Sequence, residues 1–167
     1  FLFVFLAPGA VVVSLFLNDG VMTPSALVAI ALAHGLAIAL VVYATAGISG
    51  GHVNPAVTIA AVITGKMRIA KGALFVAAQV VGAISGSLLL AAVLPDAMEA
   101  FGNLGAHGLG EGVSAGQGYL TEIVVSFALV FVVLATAMDP KGTAGNLAPL
   151  AIGLTVLVDH LIAVPLT

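Results

Sequence analysis

Histidine and asparagine side chains lie in otherwise apolar stretches of this sequence, where a polar group normally faces a cavity or a partner. His34 and His160 each lie within a long apolar run, and Asn54 follows a short glycine-containing segment. The histidines are not spaced as H-x-x-x-H, and the chain contains no cysteine. The sequence therefore predicts neither a metal site nor a cofactor. The chemistry that these side chains offer is hydrogen bonding to a small polar molecule.

The composition indicates which solvent surrounds these side chains. The 167 residues are 62% hydrophobic and 7% charged, whereas soluble domains are typically about 45–50% apolar and about 25% charged. A surface this poor in charge is solvated by lipid rather than water. Four Lys and Arg residues in total are too few for a nucleic-acid-binding patch. We therefore predict an all-α membrane protein.

Long apolar runs predict five helical spans, at 1–17, 24–48, 72–94, 119–138 and 147–167. Interior charges occur only in the fourth run, at Glu122, and in the fifth, at Asp159. Each run is continuously apolar instead of alternating, which favours helices over a membrane β-barrel. Between the second and third spans lies the mostly apolar segment 54–65. This segment is too short to cross a bilayer, so it is either re-entrant or interfacial.

The distribution of charge favours the re-entrant alternative. All four basic residues lie in the connections 66–71 and 139–146, whereas the connections 18–23 and 95–118 carry only acidic charges. The positive-inside rule places the first pair in the cytoplasm and the second pair outside. Both basic connections can share a side only if the chain from 49 to 65 enters the membrane and returns.

The residues of this loop predict a half-helix. Asn54 is a favoured N-cap, and Pro55 suits the first helical position. Gly50 and Gly51 permit the tight approach that precedes it. The half-helix would begin near the middle of the membrane, with its free N–H groups and positive dipole end pointing inward. Irregular backbone at that depth must be buried or line a water-filled cavity.

The order of elements also repeats along the chain. An offset of 118 residues places Gly35 on Gly153 and Ile38 on Val156. We expect one domain over 1–167, with a first repeat at 1–94 and an incomplete second repeat at 119–167. Three spans separate the starts of the two units, so the copies are inverted, as in many channels and transporters. A second re-entrant loop would follow Thr167, and we treat the sequence as a piece of a longer protein.

The segment SGGHVNPAV at 49–57 resembles the first signature loop of the aquaporins, or major intrinsic proteins. Further matches are Gln79, Glu122-Ile123, ATAMDP at 135–140 and LAPLAIGL at 147–154. Some of these segments are similar to plant tonoplast intrinsic proteins, and microbial water channels fit equally well. The resemblance implies a homotetramer of inverted-repeat bundles. It also implies that a second Asn-Pro-Ala half-helix and a sixth helix lie outside this sequence.

The resemblance further implies roles for individual residues. Asn54, Pro55 and Ala56 are the first of two pore motifs. His34 and His160 fall on two of the four constriction positions, although either could instead be a satisfied interhelical histidine.

Three more residues are implied to support the pore. His52 either lines the cytoplasmic half of the pore or braces the loop. His107, in the glycine-rich outer connection, could fold over the outer mouth. Glu122 is implied to be buried and to accept hydrogen bonds from irregular loop backbone. It is not expected to be catalytic, because no second acid shares its depth and side.

These features favour a channel rather than an enzyme, one that passes water down an osmotic gradient. The alternatives are a channel for small neutral solutes such as ammonia or glycerol and, less favoured, an inverted-repeat secondary transporter. The expected location is a plasma, inner or vacuolar-type membrane.

Overall fold

The computed structural model describes residues 1–167, apart from the side chain of Glu99. Its described residues form seven α-helices: α1 (Leu2–Phe16), α2 (Pro24–Ser49), α3 (Pro55–Ile63), α4 (Ile69–Val93), α5 (Asp96–Glu99), α6 (Ala115–Val133) and α7 (Ala148–Ala163). A π-helical turn, Leu134–Met138, extends α6. Short 3-10 turns lie at Gly102–Gly105 and, immediately before α7, at Gly145–Leu147. The predicted all-α class is confirmed.

Four helical segments are long and apolar enough to cross a bilayer: Pro24–Ser49, Ile69–Val93, Ala115–Met138 and Gly145–Ala163. They correspond to four of the five predicted spans. The remaining one, α1, is apolar but only 15 residues long, whereas a full span needs roughly 20 residues. The span predicted to start at 72 begins three residues earlier, at Ile69.

Two helices begin with the same local chemistry. Thr23 Oγ1 accepts a hydrogen bond from the N–H of Ala26 at 3.2 Å, and Pro24 follows as the first residue of α2. Asn54 and Pro55 play the same parts at the start of α3. In both cases the cap satisfies one free N–H, and the proline ring fixes φ at a helical value.

The chain reverses direction after α2 and re-enters the bundle. Gly50 and Gly51 have φ of +90° and +68°, a left-handed conformation that glycine adopts without steric cost. Gly51 lies against Val42, about two turns before the end of α2. Val57 then joins Ile38 and Val42 in the hydrophobic core. Because Ile38 and Val42 lie three and two turns before Ser49, α3 begins roughly 10–16 Å inside the end of α2.

The half-helix α3 then returns toward the end at which it entered. Its nine residues rise about 13 Å. It packs antiparallel to α4, with Thr58 beside Gln79 and Val62 against Gly72. Beyond α3, Lys66 Nζ donates a hydrogen bond to the carbonyl oxygen of Met138 at 3.0 Å. The connection after α3 and the connection after α6 therefore lie at the same end of the bundle.

The helices α2 and α7 cross in direct backbone contact. A Cβ placed on Gly35 would lie 2.6 Å from the carbonyl oxygen of Gly153, and one on Gly153 would lie 2.5 Å from that of Gly35. Each glycine also faces the Cβ of one further residue, Leu157 for Gly35 and Ala39 for Gly153. Both pairs of residues are related by the offset of 118, as an inverted repeat requires, although the repeat boundaries stay a prediction.

A single hydrophobic cluster joins α2, α3, α6 and α7: Ile38, Val42, Val57, Val133, Ile152 and Val156. Large apolar side chains on the outer faces of α4 and α6 are exposed, among them Leu74 at 72% and Phe127 at 68%. An exposed apolar surface of this extent fits contact with lipid or with another subunit.

We predict that cysteines introduced at Thr64 and Lys141 will be labelled from the same side of the membrane, and one at Leu109 from the other. The positions Thr64 and Lys141 follow α3 and α6, whereas Leu109 precedes α6, whose 24-residue span including the π turn covers about 36 Å. The measurement is labelling with a membrane-impermeant maleimide in oriented vesicles, using the complete protein free of other cysteines. Labelling of Thr64→Cys from the side that labels Leu109→Cys would contradict the re-entrant path.

Candidate functional site

An elongated cavity of about 2140 Å³ runs along the bundle. Its lining comes from both ends and from the middle, and includes Lys66, Asp139, His52, Asn54, Pro55, Ile38, Val156, His34, His160, Glu122 and His107. Seven of the eight predicted site residues therefore line one cavity. The eighth, Ala56, contributes its backbone N–H to the helix cap instead.

Asn54 occupies the amino end of α3 within this cavity. Its Oδ1 accepts a hydrogen bond from the N–H of Ala56 at 2.8 Å, and its carbonyl accepts the first helical bond, from Thr58 N at 3.1 Å. The side-chain oxygen is thus committed to the cap. Within the described chain the Nδ2 group has no hydrogen-bond partner, so it is free to donate to a molecule in the cavity.

Gln79 on α4 holds the loop that precedes α3. Its Nε2 donates to the carbonyl oxygen of His52 at 2.6 Å and to Thr58 Oγ1 at 2.9 Å. The short contact with a carbonyl requires a donor nitrogen, which fixes the orientation of the amide. The sequence singled out Gln79 only as a family match. An isolated glutamine in an apolar helix was the signal that could have identified it as a residue with a polar partner.

His52 lines the cavity and contacts both α3 and α4. Its Nδ1 is 3.4 Å from Thr58 Oγ1, and its ring meets the ring of Phe75 edge-on at a centroid distance of 5.4 Å. The backbone of His52 is braced by Gln79 while its side chain lines the cavity. The two roles that the sequence left open for His52 are therefore compatible.

His34 and His160 meet across the α2–α7 interface. Their rings stack at a centroid distance of 4.0 Å and an interplanar angle of 28°. Each Nδ1 lies close to the carbonyl four residues earlier on its own helix, 2.9 Å for His34 and 2.8 Å for His160. A nitrogen facing a carbonyl in this way carries the hydrogen, so Nε2 of a neutral ring is left as an acceptor.

The surroundings of the stacked pair fit both alternatives that the sequence left open, and the constriction role stays a prediction. The rings contact each other between helices, as structural histidines do, and both line the cavity. His34 is buried, with 5% of its surface exposed, and the ring of Phe3 packs edge-on against it at 5.8 Å. The pair therefore forms a fixed polar edge of the cavity.

The connection 95–118 reaches the same end of the cavity. His107 is exposed and lines the cavity. Near it in the chain, Gly105 packs directly on Pro8 of α1, since a Cβ at Gly105 would lie 2.6 Å from Pro8 Cβ. The close packing of Gly105 anchors this part of the connection over the end of the bundle.

Glu122 lies near the start of α6. In the described chain the residue is exposed rather than buried, lines the cavity and accepts no hydrogen bond. The role that the resemblance implied for it, accepting hydrogen bonds from irregular loop backbone, stays a prediction.

The opposite end of the cavity involves a feature that the sequence did not reveal. The π-helical turn Leu134–Met138 ends α6, and its residues Thr136 and Met138 line the cavity. The Met138 carbonyl accepts the hydrogen bond from Lys66. No pattern in the sequence marks a π turn, because its wider hydrogen bonding depends on the local packing.

We predict that Gln79→Met will lower the free energy of unfolding by about 1–3 kcal/mol, because the His52 carbonyl loses its donor. The measurement is an SDS titration of the complete protein in mixed micelles. Ser85→Ala on the same helix is the matched control, since Ser85 donates only to its own helix at Val81 and its loss should cost less than about 0.5 kcal/mol. Equal stability of the two variants would show that Gln79 does not hold the loop.

The chain is similar to known proteins over its whole length. A family model described as major intrinsic protein matches residues 1–167. A probable aquaporin of the TIP type from Medicago truncatula is 42% identical over 164 residues, covering 97% of this chain and 63% of the relative. Aquaporin TIP2-3 from Arabidopsis thaliana is 43% identical over 166 residues, covering 98% and 64%. Probable aquaporin TIP3-2, also from Arabidopsis thaliana, is 46% identical over 149 residues, covering 89% and 54%. The chain thus spans less than two thirds of the length of each of these relatives.

Proposed function

Because the chain belongs to the major intrinsic protein family, we propose that it forms much of the pore of a channel that conducts water passively down an osmotic gradient. The observation that carries this proposal is the half-helix α3, whose amino end opens into a cavity extending toward both ends of the bundle. A membrane-embedded helix end is stable there only if its N–H groups find partners, and water in a pore supplies them.

The half-helix supports selection against cations. Its amino end carries the equivalent of about half a positive elementary charge, and the Nδ2 group of Asn54 adds a hydrogen-bond donor beside it. A water molecule arriving there accepts through its oxygen and turns its hydrogens away from the helix end. Cations meet the same positive potential and are repelled.

The histidine pair supports selection by size. The rings of His34 and His160 line the cavity on the far side of the hydrophobic core from Lys66, where we infer that they narrow the pore, and each neutral ring offers Nε2 as an acceptor. A narrow polar edge of this kind suits water better than a bulkier polyol. Water would pass the two rings and then reorient at Asn54.

The charged lining fits a passive channel. Among the described residues, the charged side chains of the cavity lie away from the start of α3: Lys66 and Asp139 at one mouth, and Glu122 and Asp159 on the histidine side. A secondary transporter would need a coupling-ion site near the middle of the membrane. The start of α3 instead presents uncharged donors.

The location and assembly follow from the same family membership. The relatives carry the printed designation TIP-type aquaporin, and the sequence resembles tonoplast intrinsic proteins, so we place the protein in a vacuolar-type membrane. The connections 66–71 and 139–146 face the cytoplasm by their basic charge. The exposed apolar faces of α4 and α6 leave room for lipid and for neighbouring subunits of a homotetramer.

We predict that liposomes containing the complete protein will shrink much faster in hyperosmotic buffer than empty liposomes. The measurement is stopped-flow light scattering, with glycerol influx followed in the same preparation. Glycerol permeability comparable to water permeability would favour the small-solute alternative, and permeability to neither would reject the channel.

We also predict that Asn54→Asp will let monovalent cations leak while water conduction persists. Aspartate caps a helix as well as asparagine does, so the half-helix should fold. Its full negative charge outweighs the helix end, which is equivalent to about half a positive charge. The measurement is potassium efflux from liposomes with a potential-sensitive dye. Asn18→Asp, in the turn after α1, is the control, and an Asn54→Asp channel as tight as this control would contradict the dipole mechanism.

A further inference from the structure

Two glycines set the distance between α2 and α7 beside the histidine pair. At Gly35 and Gly153 a Cβ would lie 2.6 and 2.5 Å from the carbonyl oxygen of the other glycine. A Cβ atom essentially never lies within 3.0 Å of such an atom, so an alanine at either position would force the two helices apart. The two helices are therefore as close as their backbones allow.

The imidazole rings are tied to the same two backbones. His34 immediately precedes Gly35 on α2, and His160 lies about two helical turns after Gly153 on α7. The Nδ1 bonds of 2.9 and 2.8 Å each join a ring to its own helix and not to the opposite one. Each ring therefore moves with its helix, and the ring separation of 4.0 Å follows the helix separation.

We propose that Gly35 and Gly153 determine the largest solute that the channel admits, because their contact holds the rings of His34 and His160 together at the constriction. This inference rests on the proposed water-channel function and assigns a specificity role to two residues that touch no solute. They act as positioning residues: the stacked histidines form one edge of the constriction, and the glycines fix the separation of the two helices that carry this edge.

The contact between the two helices is the same from either side. Gly35 faces the Cβ of Leu157, Gly153 faces the Cβ of Ala39, and both built Cβ–Cβ distances are 2.6 Å. An alanine on either helix therefore meets the same obstacle. The effects of Gly35→Ala and Gly153→Ala should be equal, and the double variant should show less than their sum, because the first Cβ already separates the helices.

The experiment measures the ratio of glycerol to water permeability in liposomes containing the complete protein. This ratio does not depend on how many channels are folded, so a purely structural loss leaves it unchanged. We expect a severalfold rise in the ratio for Gly35→Ala and for Gly153→Ala. Gly116→Ala is the matched control, because Gly116 is also helical and has no neighbouring atom within 4 Å of a built Cβ. Its ratio should equal that of the wild type.

A second variant, in which part of the steric overlap is relieved, tests the inference even if Gly153→Ala does not fold. In Gly153→Ala combined with Ala39→Gly, the Cβ–Cβ overlap is removed and the contact with the Gly35 carbonyl remains, so the ratio should lie between those of the wild type and Gly153→Ala. If Gly153→Ala yields no folded protein, this double variant is compared with Gly116→Ala and decides the matter. Unchanged ratios in folded variants, with the wild type conducting water, would overturn the inference. A wild type that does not conduct water would overturn the proposed function instead.

Discussion

The structure depends on satisfying the amino end of a helix that begins inside the bundle. Backbone N–H groups at that depth have no lipid partner. Three residues reduce the number of unpaired groups there or hold the loop beside them. Asn54 caps α3 with its side-chain oxygen, Pro55 removes one donor, and Gln79 reaches from α4 to hold the preceding loop. The donors that remain face the cavity. The same requirement therefore accounts for the cap on α3 and for the free donors that face the cavity.

The packing of α2 against α7 positions the two histidine rings that line this cavity. The glycine contact between α2 and α7 brings two backbones together, and the rings of His34 and His160 stack as a consequence of that approach. Glycine gives up side-chain packing and helix propensity at each such position, which costs about 1 kcal/mol relative to alanine. That cost is offset by the backbone contact, which lets the two helices pack as closely as their main chains allow.

Much of the path of the chain could be predicted because its causes are local. Apolar runs of span length and one-sided basic connections required the segment 49–65 to turn back, and Asn-Pro identified the start of the half-helix. The surroundings of Glu122 could not be predicted, because residue spacing gives a helix face but not what packs against it. The π turn at Leu134–Met138 was missed for a similar reason, since it arises from packing at the end of α6 rather than from a residue pattern.

The sequence by itself determined that lipid surrounds the protein, where the helices and the re-entrant loop lie, and which polar groups lie in the apolar spans. These properties follow from side-chain transfer energies and from backbone preferences, which act over a few neighbouring residues. Only the tertiary structure decided that Gln79 would hold His52, that two histidines 126 positions apart in the chain would stack, and that Lys66 would reach Met138. Those contacts depend on the distances between helices, which close packing of many side chains sets together.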